Sequence, residues 1–142
     1  MSKRADTLDI YTDGASRGNP GDGAWAFIIL DDTGELVAEQ SGYIGQTTNN
    51  RAEYFAVIRS LQRAKELGPG CVHVHSDSQL LVNQVLGNWK VKDEELRRLY
   101  SRIKSLEENF SEVEFSHHPR DNTHISKADA LCNQCLDEIQ RN

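Results

Sequence analysis

The chain has 142 residues, with 22 Asp and Glu against 16 Lys and Arg, and a formal net charge of −6 at pH 7. That length suits one hydrophobic core, so the expectation is one domain with its core at about residues 6–140, and the acidic balance argues against a protein that grips nucleic acid by bulk positive charge alone. No apolar run approaches the roughly 20 residues of a membrane span, and the start MSKRADTLDI lacks the apolar stretch of a secretory signal, so the expected protein is cytoplasmic with no membrane contact.

Three cysteines, Cys71, Cys132 and Cys135, are an odd number in a chain large enough to fold without staples, which predicts free thiols in a reducing compartment. Without a long heptad or a large apolar excess, the expected state is a monomer.

Leu8–Thr12, Ala24–Leu30 and Glu35–Gly45 read as three strands, parted by the Gly/Pro-rich run Gly18-Asn19-Pro20-Gly21-Asp22-Gly23 and by Asp31-Asp32-Thr33-Gly34. Such short connections predict an antiparallel meander. From Asn50 the period changes. Tyr54, Val57, Ile58, Leu61, Ala64 and Lys65 fall on one helical stripe, and Gly68-Pro69-Gly70 ends it. A short strand, Val72–Ser76, precedes a helix from about Gln79 to Leu86. Leu96, Leu99, Ile103 and Leu106 then mark a further amphipathic helix. A fifth strand, Val113–His117, leads to a C-terminal helix with Ala128, Leu131, Cys132, Cys135 and Ile139 on its inner stripe. The order βββαβααβα predicts an α/β fold: a mixed five-stranded sheet, its first three strands antiparallel, with helices on both faces.

Four acids stand where this architecture brings segments together: Asp13 at the end of strand one, Glu53 in the first turn of the long helix, Asp77 at the end of strand four and Asp129 in the last helix. Each has an ordinary structural role open to it. An Asp before Gly forms turns, a Glu near a helix start meets the helix dipole, and an Asp before Ser caps a helix. Asp129 resists such a reading, because a carboxylate beside the inner stripe of a helix is costly to bury unpaired. Together the four favour a cation site, since divalent ions take oxygen ligands and invert the local logic of negative charge. Asp6, Asp9, Asp22, Asp31 and Asp32 lack comparable contexts and read as solvated.

The contexts are Asp13-Gly14-Ala15-Ser16-Arg17-Gly18-Asn19-Pro20-Gly21, Thr47-Thr48-Asn49-Asn50-Arg51-Ala52-Glu53, Ser76-Asp77-Ser78-Gln79 and Lys127-Ala128-Asp129-Ala130-Leu131. In this order, on these elements, they resemble the type 1 ribonucleases H from about Asp6 to the last helix. The resemblance implies an RNase H-like fold and an endoribonuclease that hydrolyses the RNA strand of RNA/DNA hybrids with two Mg²⁺ ions, or Mn²⁺ in their place. It implies that Asp13 bridges both ions, that Asp129 completes the water-activating site, and that Glu53 and Asp77 hold the ion facing the leaving 3′-oxygen. Products would carry 5′-phosphate and 3′-hydroxyl ends. Mutual repulsion would raise some carboxylate pKa values until metal binds, so activity should grow above neutral pH.

By the same resemblance Asn19, Asn49, Asn50 and Gln79 contact the hybrid, where neutral amides can read 2′-hydroxyls, and Thr48 grips a phosphate of the DNA strand. Arg17 and Arg51 stand beside them. An Asn-Asn pair is also a common turn and helix cap, a role open to Asn50. In Gly87-Asn88-Trp89-Lys90-Val91-Lys92, Trp89, Lys90 and Lys92 could meet the DNA backbone, or Trp89 could belong to the core. Here the chain departs from relatives with a longer basic insertion, since Asp93-Glu94-Glu95 follows at once. The loop His117–Ser126 is where many relatives carry a mobile histidine for proton transfer. His118 and His124 are both candidates, with His124 preferred. His73 and His75 alternate on one strand face and read as structural, and the lone Cys132-x-x-Cys135 pair reads as core packing rather than zinc.

Fold alone does not decide function. The rival readings are a catalytically silent nucleic-acid binding module, which would lack at least one of the four acids, and a nuclease that also cuts double-stranded RNA.

Overall fold

The computed structural model describes residues 7–141. The strands are β1 (Thr7–Gly18), β2 (Gly21–Leu30), β3 (Leu36–Thr47), β4 (Cys71–Ser76) and β5 (Glu112–His117). The helices are α1 (Asn49–Leu67), α2 (Gln79–Val85), α3 (Glu94–Glu107) and α4 (Thr123–Arg141), which gives the order βββαβααβα. The five strands lie in the order β3-β2-β1-β4-β5. The β1–β2 and β2–β3 pairs are antiparallel, and β1–β4 and β4–β5 are parallel. Parallel neighbours cannot be joined by a hairpin, which is why each link after β3 carries a helix. None of the helices is long and apolar enough to cross a membrane.

Period-2 alternation divides the side chains between two layers. Leu8, Ile10, Phe27, Ile29, Val72 and Val74 meet α1, α2 and α3 in the larger core, around the fully buried Tyr54, Ile58 and Leu61. On the other face Ala24, Ala26, Ile28 and Leu30 meet Ala128, Cys132 and Leu136 of α4. α4 packs on β1, β2 and β3.

Several boundaries differ from the sequence reading. The first strand does not end at Thr12. It runs to Gly18, so Asp13 lies mid-strand, paired with Ala26. Residues 13–18 carry little β propensity of their own, and their extended form comes from the β2 ladder, which leaves only Asn19 and Pro20 between the strands. Glu53 is not in the first turn of its helix, because α1 already starts at Asn49 and carries no acid in that turn. Lys65 is exposed rather than on the inner stripe, while Leu131, Cys135 and Ile139 are half-buried. A charged ammonium has no partner in an apolar core, so the inner stripe ends at Ala64. His124 sits in the first turn of α4, not in a loop, because Asn122 Oδ1 accepts from the His124 and Ile125 N–H groups and starts the helix there.

The cap of α1 is Thr48, not Asn50: its Oγ1 accepts from Arg51 N–H at 3.3 Å, and Gly68 closes the far end in the left-handed conformation at φ 71°. Thr48→Ala is expected to cost about 1 kcal/mol of folding stability, and Thr48→Ser to restore most of it, by urea denaturation.

Candidate active site

The β1–β4 ladder ends at the pair Tyr11–His75. Two residues further, β1 remains extended against β2 while β4 has ended at Ser76, so Asp13 and Asp77 face each other across an opening between the central strands. Glu53 enters from α1. Oxygens of Asp13, Glu53 and Asp77 lie within 4.8 Å of one another. Asp129 of α4 completes the group from the opposite face, close enough to Asp13 to share a hydrogen bond with its protonated form.

Gly14 makes this approach possible. A Cβ there would lie 2.2 Å from the carbonyl carbon and oxygen of Ala52 and 2.5 Å from Glu53 N. Its absence lets β1 touch α1, and Gly14 N–H donates to Glu53 Oε1 at 2.8 Å. The Asp-Gly pair is thus a close-packing device and not a turn.

The electrostatics are those of a site awaiting positive charge. Both Asp13 oxygens and Asp77 Oδ1 are buried without a hydrogen-bond partner among the described residues. Burial, then the charge of Asp77, pushes the Asp13 carboxyl up to about 8. Glu53 is held well above the ordinary range by burial and then by Asp13. Such orphaned carboxylates are costly unless a cation joins them. Oxygen-only donors in this number suit a hard divalent ion. The Cys132 thiol sits beneath, 3.3 Å from the Asp13 carbonyl oxygen, and burial raises its pKa, so it remains a packed thiol.

Arg120, which sequence reasoning passed over, is the one cation at this cluster among the described residues. Its Nε lies 3.0 Å from Asp77 Oδ2, with the Arg120 side chain 72% exposed and that of Asp77 6%. The signal that could have found it is an arginine in the loop between β5 and α4, two residues after His118. The two histidines take other partners. His118 Nε2 lies 2.7 Å from His75 Nδ1, and the His124 ring leans on Tyr11 at 4.6 Å between centroids. Neither is hydrogen-bonded to one of the four acids.

The expected substrate contacts gather at one end of the molecule. Asn19, at the β1–β2 tip, accepts from Asn49 N–H through Oδ1 at 3.1 Å, which ties the hairpin to the start of α1 beside Thr48 and Asn50. Gln79 opens α2, two residues past Asp77, and is exposed. Arg17 is drawn away to α4, where it pairs with Asp137 at 2.7 Å. Trp89 is 44% exposed and so is not core. Its segment is anchored from below, because Tyr54 donates to Gln84 Oε1 and Gln84 Nε2 donates to the Lys90 carbonyl at 3.2 Å.

Three of the acids read as solvated have partners. Asp9 meets His75 at 2.9 Å and Asp22 accepts from Tyr43 at 2.7 Å. Asp31 orders its own turn, and Asp32 is exposed. Asp6 lies outside the described residues.

Comparison with known proteins agrees with this architecture. The family model described as "Reverse transcriptase-like" matches residues 11–135. A protein of Halobacterium salinarum named ribonuclease HI is 39% identical over 135 residues, 95% of this chain and 67% of its own length. The N-terminal RNase H domain of a Mycobacterium tuberculosis protein superposes with a TM-score of 0.90 at 34% identity, covering 95% of this chain and 96% of that one. The chain spans 35% of the full-length bifunctional mycobacterial protein. LC11-RNase H1, solved in complex with an RNA/DNA hybrid, superposes at a TM-score of 0.88 with 37% identity, covering 94% of this chain and 99% of that one. Alike in sequence and in backbone over nearly its whole length, this chain belongs to the type 1 ribonuclease H family.

Proposed function

We propose that this chain is an endoribonuclease that hydrolyses the RNA strand of RNA/DNA hybrids, leaving 5′-phosphate and 3′-hydroxyl ends. The observation that carries this reading is the meeting of Asp13, Glu53 and Asp77 within 4.8 Å, with three of their oxygens buried and unpartnered among the described residues. Two Mg²⁺ ions, or Mn²⁺ in their place, fit these oxygens together with substrate. Asp13 would serve both ions, Asp129 the one on the water side, and Glu53 and Asp77 the one on the leaving-group side. When bound, the ions supply Lewis acidity at the phosphate for an in-line displacement.

The chain's own residues orient and select. Gly14 N–H fixes one oxygen of Glu53. Arg120 neutralises Asp77 in the free protein and supplies a positive group at the cluster's exposed rim, where a phosphate arrives. Asn19, pinned through its oxygen by Asn49, keeps its amide nitrogen for a sugar hydroxyl. Asn49, Asn50 and Gln79 offer further neutral contacts, the kind that separate RNA from DNA by the 2′-hydroxyl. Thr48 stands at a helix N-terminus, a setting that favours a phosphate of the DNA strand. Exposed Trp89, Lys90 and Lys92 form a short stacking and charged ridge for the same strand. The protein acts as a monomeric single domain, and its free cysteines suit the cytoplasm.

Cleavage of an end-labelled hybrid, beside double-stranded and single-stranded RNA, with Mg²⁺, Mn²⁺ or chelator, tests this reading. The expected result is hybrid-selective, metal-dependent cutting that Asp77→Asn reduces by roughly a thousandfold or more. Binding of the hybrid without cutting under either metal would overturn it in favour of a silent binding module. Equal cutting of double-stranded RNA would overturn the selectivity.

A further inference from the structure

α4 packs on β1, β2 and β3, and farther along the same sheet face His73 of β4 and Glu114 of β5 remain 29% and 58% exposed. There the parallel registers Asp9–His73 and His73–Glu114 put three strands side by side. His75 Nε2 lies 2.9 Å from Asp9 Oδ1, and His73 Nδ1 lies 4.0 Å from the same oxygen and 3.7 Å from Glu114 Oε2. Donor atoms of Asp9, His73 and His75 all fall within 4.8 Å of one another.

For Asp9, His73 and His75 these separations lie around the spacing of about 3.3 Å that donors adopt about a tetrahedral ion with bonds near 2.0–2.1 Å, and Glu114, beside His73, is the acid at hand for the fourth position. The ring nitrogens left over are also engaged: His73 Nε2 is 2.6 Å from Ser116 Oγ and His75 Nδ1 is 2.7 Å from His118 Nε2. Metal-binding histidines are held by just such contacts on their second nitrogen. Two carboxylates and two neutral imidazoles carry two negative charges, which one divalent ion cancels. His75 forms the floor with its side chain 8% exposed, and Asp9 and Glu114 form an open rim.

We propose that Asp9, His73, His75 and Glu114 form a second cation site, selective for a transition metal ion of the zinc class. Imidazole nitrogens favour such an ion, whereas the oxygen-only cluster at Asp13 favours a hard one. Asp13 lies four positions along β1 from Asp9, about 13 Å in an extended strand, so the two sites bind separately. An ion here clamps β1, β4 and β5 together, and His118 acts as a positioning residue through His75.

The test is titration of the chelator-treated protein with Co²⁺ in saturating Mg²⁺, followed by visible absorption and melting temperature. The expected result is one Co²⁺ per chain with the intense bands of tetrahedral nitrogen-containing ligation, displaced by Zn²⁺, and a raised melting temperature. His73→Ala and Glu114→Gln should each weaken binding by at least about tenfold, and His118→Ala by roughly 10–100-fold. Asp77→Asn should leave the bands unchanged. Glu114 and His118 are peripheral enough to keep the test decisive should His73→Ala fold poorly. Absence of tetrahedral bands, or bands that persist in Glu114→Gln and His118→Ala but vanish in Asp77→Asn, would overturn the proposal.

Discussion

Asp13→Asn is expected to abolish hybrid cleavage, by roughly a thousandfold or more, and at the same time to make the metal-free protein more stable. The carboxyl of Asp13 is buried against Asp77 and Asp129, both its oxygens lack hydrogen-bond partners among the described residues, and its pKa rises from 3.8 to about 8. A raised acid pKa means that the folded state holds its proton more tightly than the unfolded chain. Between about pH 4 and pH 8 the unfolded chain has released that proton and the folded one has not, so stability falls as pH rises through this window. Above it both states are ionised and the penalty levels off. Asparagine cannot ionise and brings an N–H₂ group that the surrounding carboxylates can accept from. The gain is on the order of 3 kcal/mol at neutral pH, read by urea denaturation in chelator, and it should shrink toward pH 4. Mg²⁺ should stabilise the wild type more than the variant, and wild-type activity should climb above neutral pH as the ligands shed their protons. A variant less stable than wild type at pH 8 without metal would show that Asp13 is not a strained ligand.

Gly14→Ala carries the second large effect. Its Cβ would stand 2.2 Å from the backbone of Ala52, and a helix backbone cannot swing aside as a long side chain can. β1 and α1 must part, which costs about 3 kcal/mol or more. The Gly14 N–H contact to Glu53 is lost, so cleavage falls even in molecules that remain folded. Gly34→Ala is the control. Gly34 has φ +86° but nothing within 4 Å of its would-be Cβ, so only the roughly 1–2 kcal/mol of a left-handed backbone is at stake. Equal stability and activity of Gly14→Ala and Gly34→Ala would remove the close approach of β1 and α1 from the account.

What the sequence determined by itself is the periodic part of the molecule. The short unbroken apolar run Ala24–Leu30 in β2, the three-and-four spacing of Leu96, Leu99 and Ile103 in α3, and glycines at helix ends are local signals, so the order βββαβααβα was legible, as were four acids on four separate elements. Only the tertiary structure decided which side chains meet. Residues 13–18 are extended because β2 pairs with them, Asp13 and Asp77 face each other because β1 and β4 are parallel neighbours, and Arg120 matters because its loop folds back onto Asp77. Asp9 and Glu114 lie 105 positions apart by their numbers and carry no motif, yet the strand order β1-β4-β5 sets both around His73. Periodicity reports the face a residue occupies. Charge, burial and proximity across strands depend on pairings that chain spacing does not contain.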